Sequence, residues 1–131
     1  MLEIDIVTPT RKLVEGIKAT SVKLPAFKGE IEILPGHADL LTLLSTGVID
    51  VVTEGKERRF AASYGFAEVK ADKILVLAET CEESVDIDKE RAKAARQKAE
   101  KALSAVLGEG EFERYQLKLQ RAITRQTIAR S

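Results

Sequence analysis

At Val85-Asp86-Ile87-Asp88 the chain changes character, and that change narrows the folds open to it. Upstream, short apolar alternations are broken by Gly and Pro. Downstream, from Lys89 to Ala129, there is no proline, and Ala, Lys, Arg, Glu, Gln and Leu dominate. Those are strong helix formers, interrupted only at Gly108-Glu109-Gly110. The pattern predicts a β domain over residues 1–85 and an antiparallel helical hairpin over residues 86–131, joined at one short seam. A hairpin made of alanine and charge holds weakly to whatever it rests on, which makes it a candidate moving part.

With 131 residues, 44% of them hydrophobic, the chain can bury one substantial core. It contains no run of about eighteen apolar residues, and Met1–Val7 carries acids where a secretory leader carries bases, so neither a membrane span nor a leader is expected. Cys81 is the only cysteine, which rules out an internal disulfide and suits a reducing compartment. The net charge of zero hides a split: 15 acids against 10 bases through Asp86, then 6 acids against 11 bases. A basic hairpin beside an acidic β domain faces an acidic surface, a polyanion or simply solvent.

Leu2, Ile4 and Ile6 alternate with Glu3 and Asp5 as in a half-buried strand. Glu15-Gly16 reads as a turn, Ala19–Leu24 as a strand with Val22 and Leu24 inward, and Pro25 and Gly29 as the brackets of a loop. Glu30–Leu34, Asp39–Leu44 and Gly47–Val52 follow as strands. Thr53-Glu54-Gly55-Lys56 is a tight hairpin leading into Glu57–Ala62. Phe66–Val69 and Lys73–Ala78 pair around Ala71-Asp72, and Glu82–Val85 reads as a last short strand. About nine strands at this spacing predict a sandwich or flattened barrel and not alternating βαβ units.

Helix one, over Asp88–Leu107, sets Ala92, Ala95, Ala99, Ala102 and Val106 on one face. Helix two, over Glu111–Ala129, does the same with Phe112, Tyr115, Leu119, Ala122 and Gln126, with Ile123 beside them. Small side chains let two backbones come close, but each methyl buries little area. The pair should therefore be stable only when docked.

A search for chemistry leaves little. His37 is the only histidine and lies in a Pro35-Gly36-His37 turn, which removes any His-based metal cluster. Cys81 closes an apolar strand and reads as packed; Glu79, Glu82 and Glu83 nearby read as a solvated edge. No recognised Gly-rich phosphate loop is present. Two patterns remain. Ile87-Asp88-x-x-Arg91-Ala92 opens helix one, where free backbone N–H groups favour an anion; the plain alternative is a capped helix with a local ion pair. Arg114, Lys118, Arg121 and Arg125 form a cationic stripe on helix two, reading as a site for phosphates or an acidic partner, or as a solvated face. With Phe112 and Tyr115 assigned to packing, little is left to stack on bases, so nucleic acid is not expected.

On these residues the chain resembles the epsilon subunit of bacterial F-type ATP synthases. The most specific stretch is Gly29-Glu30-Ile31-Glu32-Ile33-Leu34-Pro35-Gly36-His37-Ala38-Asp39-Leu40-Leu41-Thr42. Val7-Thr8-Pro9, Tyr64-Gly65-Phe66-Ala67-Glu68-Val69 and Val76-Leu77-Ala78-Glu79-Thr80 support it. The resemblance implies a ten-stranded β-sandwich followed by a two-helix hairpin, without catalytic residues, metal or required cofactor. It further implies a rotor subunit peripheral to the cytoplasmic face of the bacterial inner membrane. Its partners would be the gamma subunit, the c-subunit ring and the alpha/beta catalytic hexamer, and it would couple proton flow to ATP synthesis. The hairpin would inhibit hydrolysis when extended.

Some bacterial members of that family bind ATP as a regulatory ligand in the folded hairpin. Their pattern falls here on Glu82, Ile87, Asp88, Arg91, Ala92, Arg121 and Arg125. Lys98 stands where the strong binders have arginine, keeping the charge and losing the planar fork. Partner contacts are expected at His37, Leu40 and Leu41 on the sandwich edge and at Arg114 and Lys118 on helix two. The competing reading is a stand-alone binding module with a ligand in the sandwich and the hairpin as its lid. An enzyme would need a pocket at His37 or Cys81.

Overall fold

Strict alternation of apolar and polar residues commits most of the chain to half-buried strands. A computed structural model describes residues 1–105, 108 and 110–129. Its ten strands are β1 (Leu2–Val7), β2 (Lys12–Ala19), β3 (Ser21–Ala26), β4 (Gly29–Ile33) and β5 (Leu40–Leu44), then β6 (Gly47–Thr53), β7 (Lys56–Ala62), β8 (Gly65–Lys70), β9 (Lys73–Ala78) and β10 (Cys81–Glu83). A short 3-10 helix (Ser84–Asp86) leads into α1 (Lys89–Leu103), and α2 (Glu111–Ile128) follows.

The strands form one sheet in the order β10-β7-β6-β3-β5-β8-β9-β1-β2, with β4 added on β3. β1 and β9 pair in parallel and the other neighbours are antiparallel. The sheet curls until β2 touches β6, giving a nearly closed, flattened barrel. Inside lie Phe60, Leu2, Ile4, Ile6, Leu24, Ile33, Ile49 and Ile74, each at most 2% exposed. Each such side chain contributes about 1.5–3 kcal/mol on burial, so the barrel is the stable part of the molecule.

Several turns follow the local rules. Glu54 and Gly55 (φ +52° and +74°) and Ala71 and Asp72 (φ +50° and +63°) close two-residue hairpins whose positive φ suits the strand twist. Two expectations about turns and loops fail. Glu15-Gly16 is not a turn: β2 runs through it, and Gly16 (φ +65°) forms a bulge where the β1 register shifts, its N–H donating to the Asp5 carboxylate. A bulge and a turn make the same demand for glycine, so local sequence does not separate them. Pro25 does not start a loop either. It lies inside β3 as the register partner of Glu30 on β4, beyond the last residue paired with β6 (Lys23) and before the one paired with β5 (Ala26). The reversal falls at Phe27-Lys28.

The helices pack antiparallel. Arg96 Nη1 donates to Gln126 Oε1 at 3.1 Å, and α2 lies across β6 and β7. Burial is sparse: Ala92 and Ala99 on α1, Ala122 and Ile128 on α2. Ala102, Tyr115, Leu119, Ile123 and Gln126 are half-buried, whereas Ala95 and Phe112 are exposed, against expectation. Phe112 belongs to the first turn of α2 and is 52% exposed. α1 ends at Leu103; the expected extension to Val106 and Leu107 lies outside the described residues. Among the described residues no helix is long and apolar enough to cross a membrane.

Candidate functional site

The seam is built before the helices begin. Arg58 on β7 grips Glu83 at the end of β10 with two hydrogen bonds, Nε to Oε2 at 2.8 Å and Nη2 to Oε1 at 2.7 Å. This bidentate pair pushes the Arg58 pKa further up, and it fixes the strand from which the hairpin departs. Ile87 N–H then donates to Ser84 O at 3.3 Å, closing the 3-10 turn. Asp88 caps α1, its Oδ1 accepting from Arg91 N–H at 3.1 Å. Ile87, Ala92 and Ile128 pack on Ala61 of β7 in a small apolar cluster, flanked by Val48 and Ala129. Ile87 and Ala92 are thus seam residues, and Asp88 is a cap.

Beyond this cluster a cleft of about 310 Å³ lies between the helices. Ala95 and Ala99 of α1 and Ala122 of α2 form its floor, and Tyr115 lines one side. Lys98, Lys118, Arg121 and Arg125 supply its polar lining, with no carboxylate among them. The alanines set this geometry: side chains too small to fill the interhelical space leave room below a rim of cations. Four positive charges around a small concavity favour an anion with several oxygens, and the arginines offer paired donors.

Two barrel residues hold the inner rim. Arg125 Nε lies 2.9 Å from Glu82 Oε1, close but out of line for a hydrogen bond, while its Nη2 donates to Glu82 Oε2 at 3.3 Å. The Arg121 guanidinium sits over the Tyr64 ring at 5.7 Å from the centroid, and its Nε is buried without a hydrogen-bond partner among the described residues. The expected stripe on α2 therefore divides. Arg121 and Arg125 turn inward, whereas Arg114 and Lys118 stack on Tyr115 at 5.3 and 5.1 Å, Lys118 also reaching the cleft. Lys98 joins the two arginines as expected. Arg91 is exposed and lies one turn before Ala95, outside the lining.

Tyr64 and Tyr115 are the residues that sequence reasoning missed in these roles. Tyr115 was assigned to packing, and its one signal is the flanking pair Arg114 and Lys118. Tyr64 is an aromatic left 47% exposed at a strand junction.

Strands β5 and β8 carry an apolar face. Leu43 on β5 and Phe66 on β8 are register partners, 63% and 38% exposed, beside Leu41 at 69%. Leu40 instead packs inward against the core. His37 Nδ1 lies 2.7 Å from Ala38 O, and its turn is pinned by Gly36 N–H donating to Asp72 Oδ1 at 2.8 Å. Cys81 is buried; desolvation, aided by the Glu82 charge, pushes its thiol up to about 12 and keeps it protonated.

Residues 1–84 match the family described as ATP synthase, Delta/Epsilon chain, beta-sandwich domain, and residues 86–129 match ATP synthase, Delta/Epsilon chain, long alpha-helix domain. An ATP synthase epsilon chain of Desulforamulus reducens is 44% identical over 122 residues, covering 93% of this chain and 92% of its own. That of Trichlorobacter lovleyi is 40% identical over 129 residues, covering 98% and 93%. A chain of the Euglena gracilis mitochondrial ATP synthase, solved as OSCP/F1/c-ring in rotational state 1, superposes with a TM-score of 0.84 at 19% identity, over 96% of this chain and 79% of that one. A chain of the Tetrahymena thermophila mitochondrial ATP synthase central stalk/c-ring gives a TM-score of 0.67 at 12% identity, over 95% and 96%. At those identities the two structures share the fold.

Proposed function

The chain belongs to the epsilon-chain family of F-type ATP synthases, a non-catalytic subunit of that complex, and from this we propose a rotor component whose hairpin responds to ATP. The barrel binds the gamma subunit and the c-ring through the face of Leu41, Leu43 and Phe66 and the His37 turn. It turns with them at the cytoplasmic surface of the bacterial inner membrane and links proton flow to synthesis. The hairpin either rests on the barrel or extends toward the alpha/beta hexamer, where its basic face meets acidic segments and hinders hydrolysis. ATP in the interhelical cleft holds the resting form.

The observation that carries this reading is the cluster of Lys98, Lys118, Arg121 and Arg125 around the cleft between α1 and α2. The docked seam is small, so a modest ligand suffices to bias it. A ligand bound only to the docked form stabilises it by about 2.7 kcal/mol at a hundredfold excess over Kd. Calorimetric titration with ATP tests the reading. Arg121→Ala removes charge-assisted hydrogen bonds worth about 1.5–3 kcal/mol, so affinity should fall by at least tenfold. Arg91→Ala, outside the cleft lining, should lose less. Wild-type protein that takes up no ATP contradicts the nucleotide reading and leaves regulation to protein contacts.

A further inference from the structure

We infer that Tyr64 is the positioning residue through which the barrel presents Arg121 to an anion in the cleft, tying occupancy of the cleft to docking of the hairpin. The identity of the anion rests on the nucleotide reading above; the contact does not.

The need for such a residue follows from linkage. A ligand held wholly between α1 and α2 shifts docking only so far as the helix pair itself comes apart when it leaves the barrel. Only a difference in affinity between the docked and undocked states can shift their populations. Lys98 and Lys118 lie on the helices alone and supply a difference only through the pairing of α1 with α2. Arg121 and Arg125 supply one directly, because each is held by the barrel: Arg125 by Glu82 on β10, Arg121 by Tyr64 between β7 and β8.

The two supports act in opposite senses. Glu82 neutralises Arg125 and so competes with an incoming anion. The Tyr64 ring attracts the Arg121 cation through its face and leaves the guanidinium N–H groups for other acceptors. Arg121 Nε, like Arg125 Nε, is a buried donor without a hydrogen-bond partner among the described residues.

Tyr64 also stands on a fixed base. Ser63 N–H donates to Thr80 O at 2.9 Å and Glu79 N–H to Tyr64 O at 3.0 Å, so the backbone on either side is tied. Gly65 lies so close to β9 that an added Cβ would be 1.9 Å from Leu77 O. An aromatic ring left 47% exposed on so rigid a mount is held out toward α2 and is not part of the core.

The test compares Tyr64→Phe, which keeps the ring face, with Tyr64→Leu, which keeps apolar bulk and loses it. The readouts are ATP affinity by calorimetry and α2 amide exchange without ligand. Tyr64→Leu should bind ATP about two- to fivefold more weakly and exchange its α2 amides faster by a similar factor, with Tyr64→Phe matching wild type in both. With a wild type that binds ATP, Tyr64→Leu matching it in either readout, or Tyr64→Phe as defective as Tyr64→Leu, overturns the proposal. If wild type binds no ATP, the nucleotide reading alone falls. Ligand-free exchange then decides the Tyr64–Arg121 contact: faster in Tyr64→Leu alone sustains it, and equal in all three proteins ends it.

Discussion

Ile128→Ala leaves a barrel that melts where the wild-type barrel melts and a hairpin that no longer rests on it. Ile128 is 5% exposed and is the one large side chain that α2 buries in the seam, against Ile87, Ala61 and Ala92. The other buried positions among the described residues of the two helices, Ala92, Ala99 and Ala122, contribute single methyls. Truncating a buried isoleucine costs about 2–5 kcal/mol, most of what a seam of this size can supply. The core lies on the far side of β6 and β7 and does not feel the change. Trypsin reports it directly, because Arg121 and Arg125 are cleavable only when α2 leaves the barrel and unwinds. A loss of about 2 kcal/mol raises the open population roughly thirtyfold, and cleavage follows that population when opening is fast. An unchanged cleavage rate contradicts the weak-seam account.

Gly65→Ala acts on the other part of the molecule and prevents the barrel from closing. The added methyl would meet Leu77 O at 1.9 Å, with Leu77 C and Ala78 Cα at 2.9 Å. All three are backbone atoms of β9, and Gly65 is the register partner of Ala78, so relief requires unpairing β8 from β9. Those strands join β5 to β1 in the sheet, and parting them opens the core. The expected loss exceeds about 4 kcal/mol, enough to leave the protein largely unfolded or insoluble at room temperature. Gly55→Ala is the matched control. Its φ is +74° with nothing within 4 Å of an added Cβ, so the cost is the left-handed conformation alone, about 1–2 kcal/mol. Thermal melts followed by circular dichroism separate the two. A Gly65→Ala protein melting within a few degrees of wild type contradicts the clash.

The contrast between the two halves explains what the sequence disclosed. In the barrel one physical rule dominates: Leu2, Ile4, Ile6, Val22, Leu24 and Ile33 must all face one interior, and alternation reveals them. The rule weakens where two structures share a residue signature. Gly16 serves a bulge as well as a turn, and Pro25 sits in a strand because β3 changes partners there. In the hairpin the rule is weaker still. Alanine at Ala92, Ala95 and Ala99 has one local pattern and two fates, Ala92 in the seam and the other two in the cleft lining. The cationic stripe likewise divides according to what the barrel offers. Lys98, Arg121 and Arg125 were legible as a group, while the Tyr64–Arg121 contact joins positions far apart in the chain that no periodicity connects.

The central claim is that a weakly seated hairpin on a rigid barrel is held down by an anion in the cleft. Amide exchange of the wild-type protein with and without ATP tests it most directly. Without ATP, α2 amides should exchange orders of magnitude faster than those of β1, β6 and β9; at a hundredfold excess over Kd they should slow by about a hundredfold while the strands stay unchanged. Helices as protected as the strands before ATP is added, or helices whose exchange ATP does not alter, contradict the account.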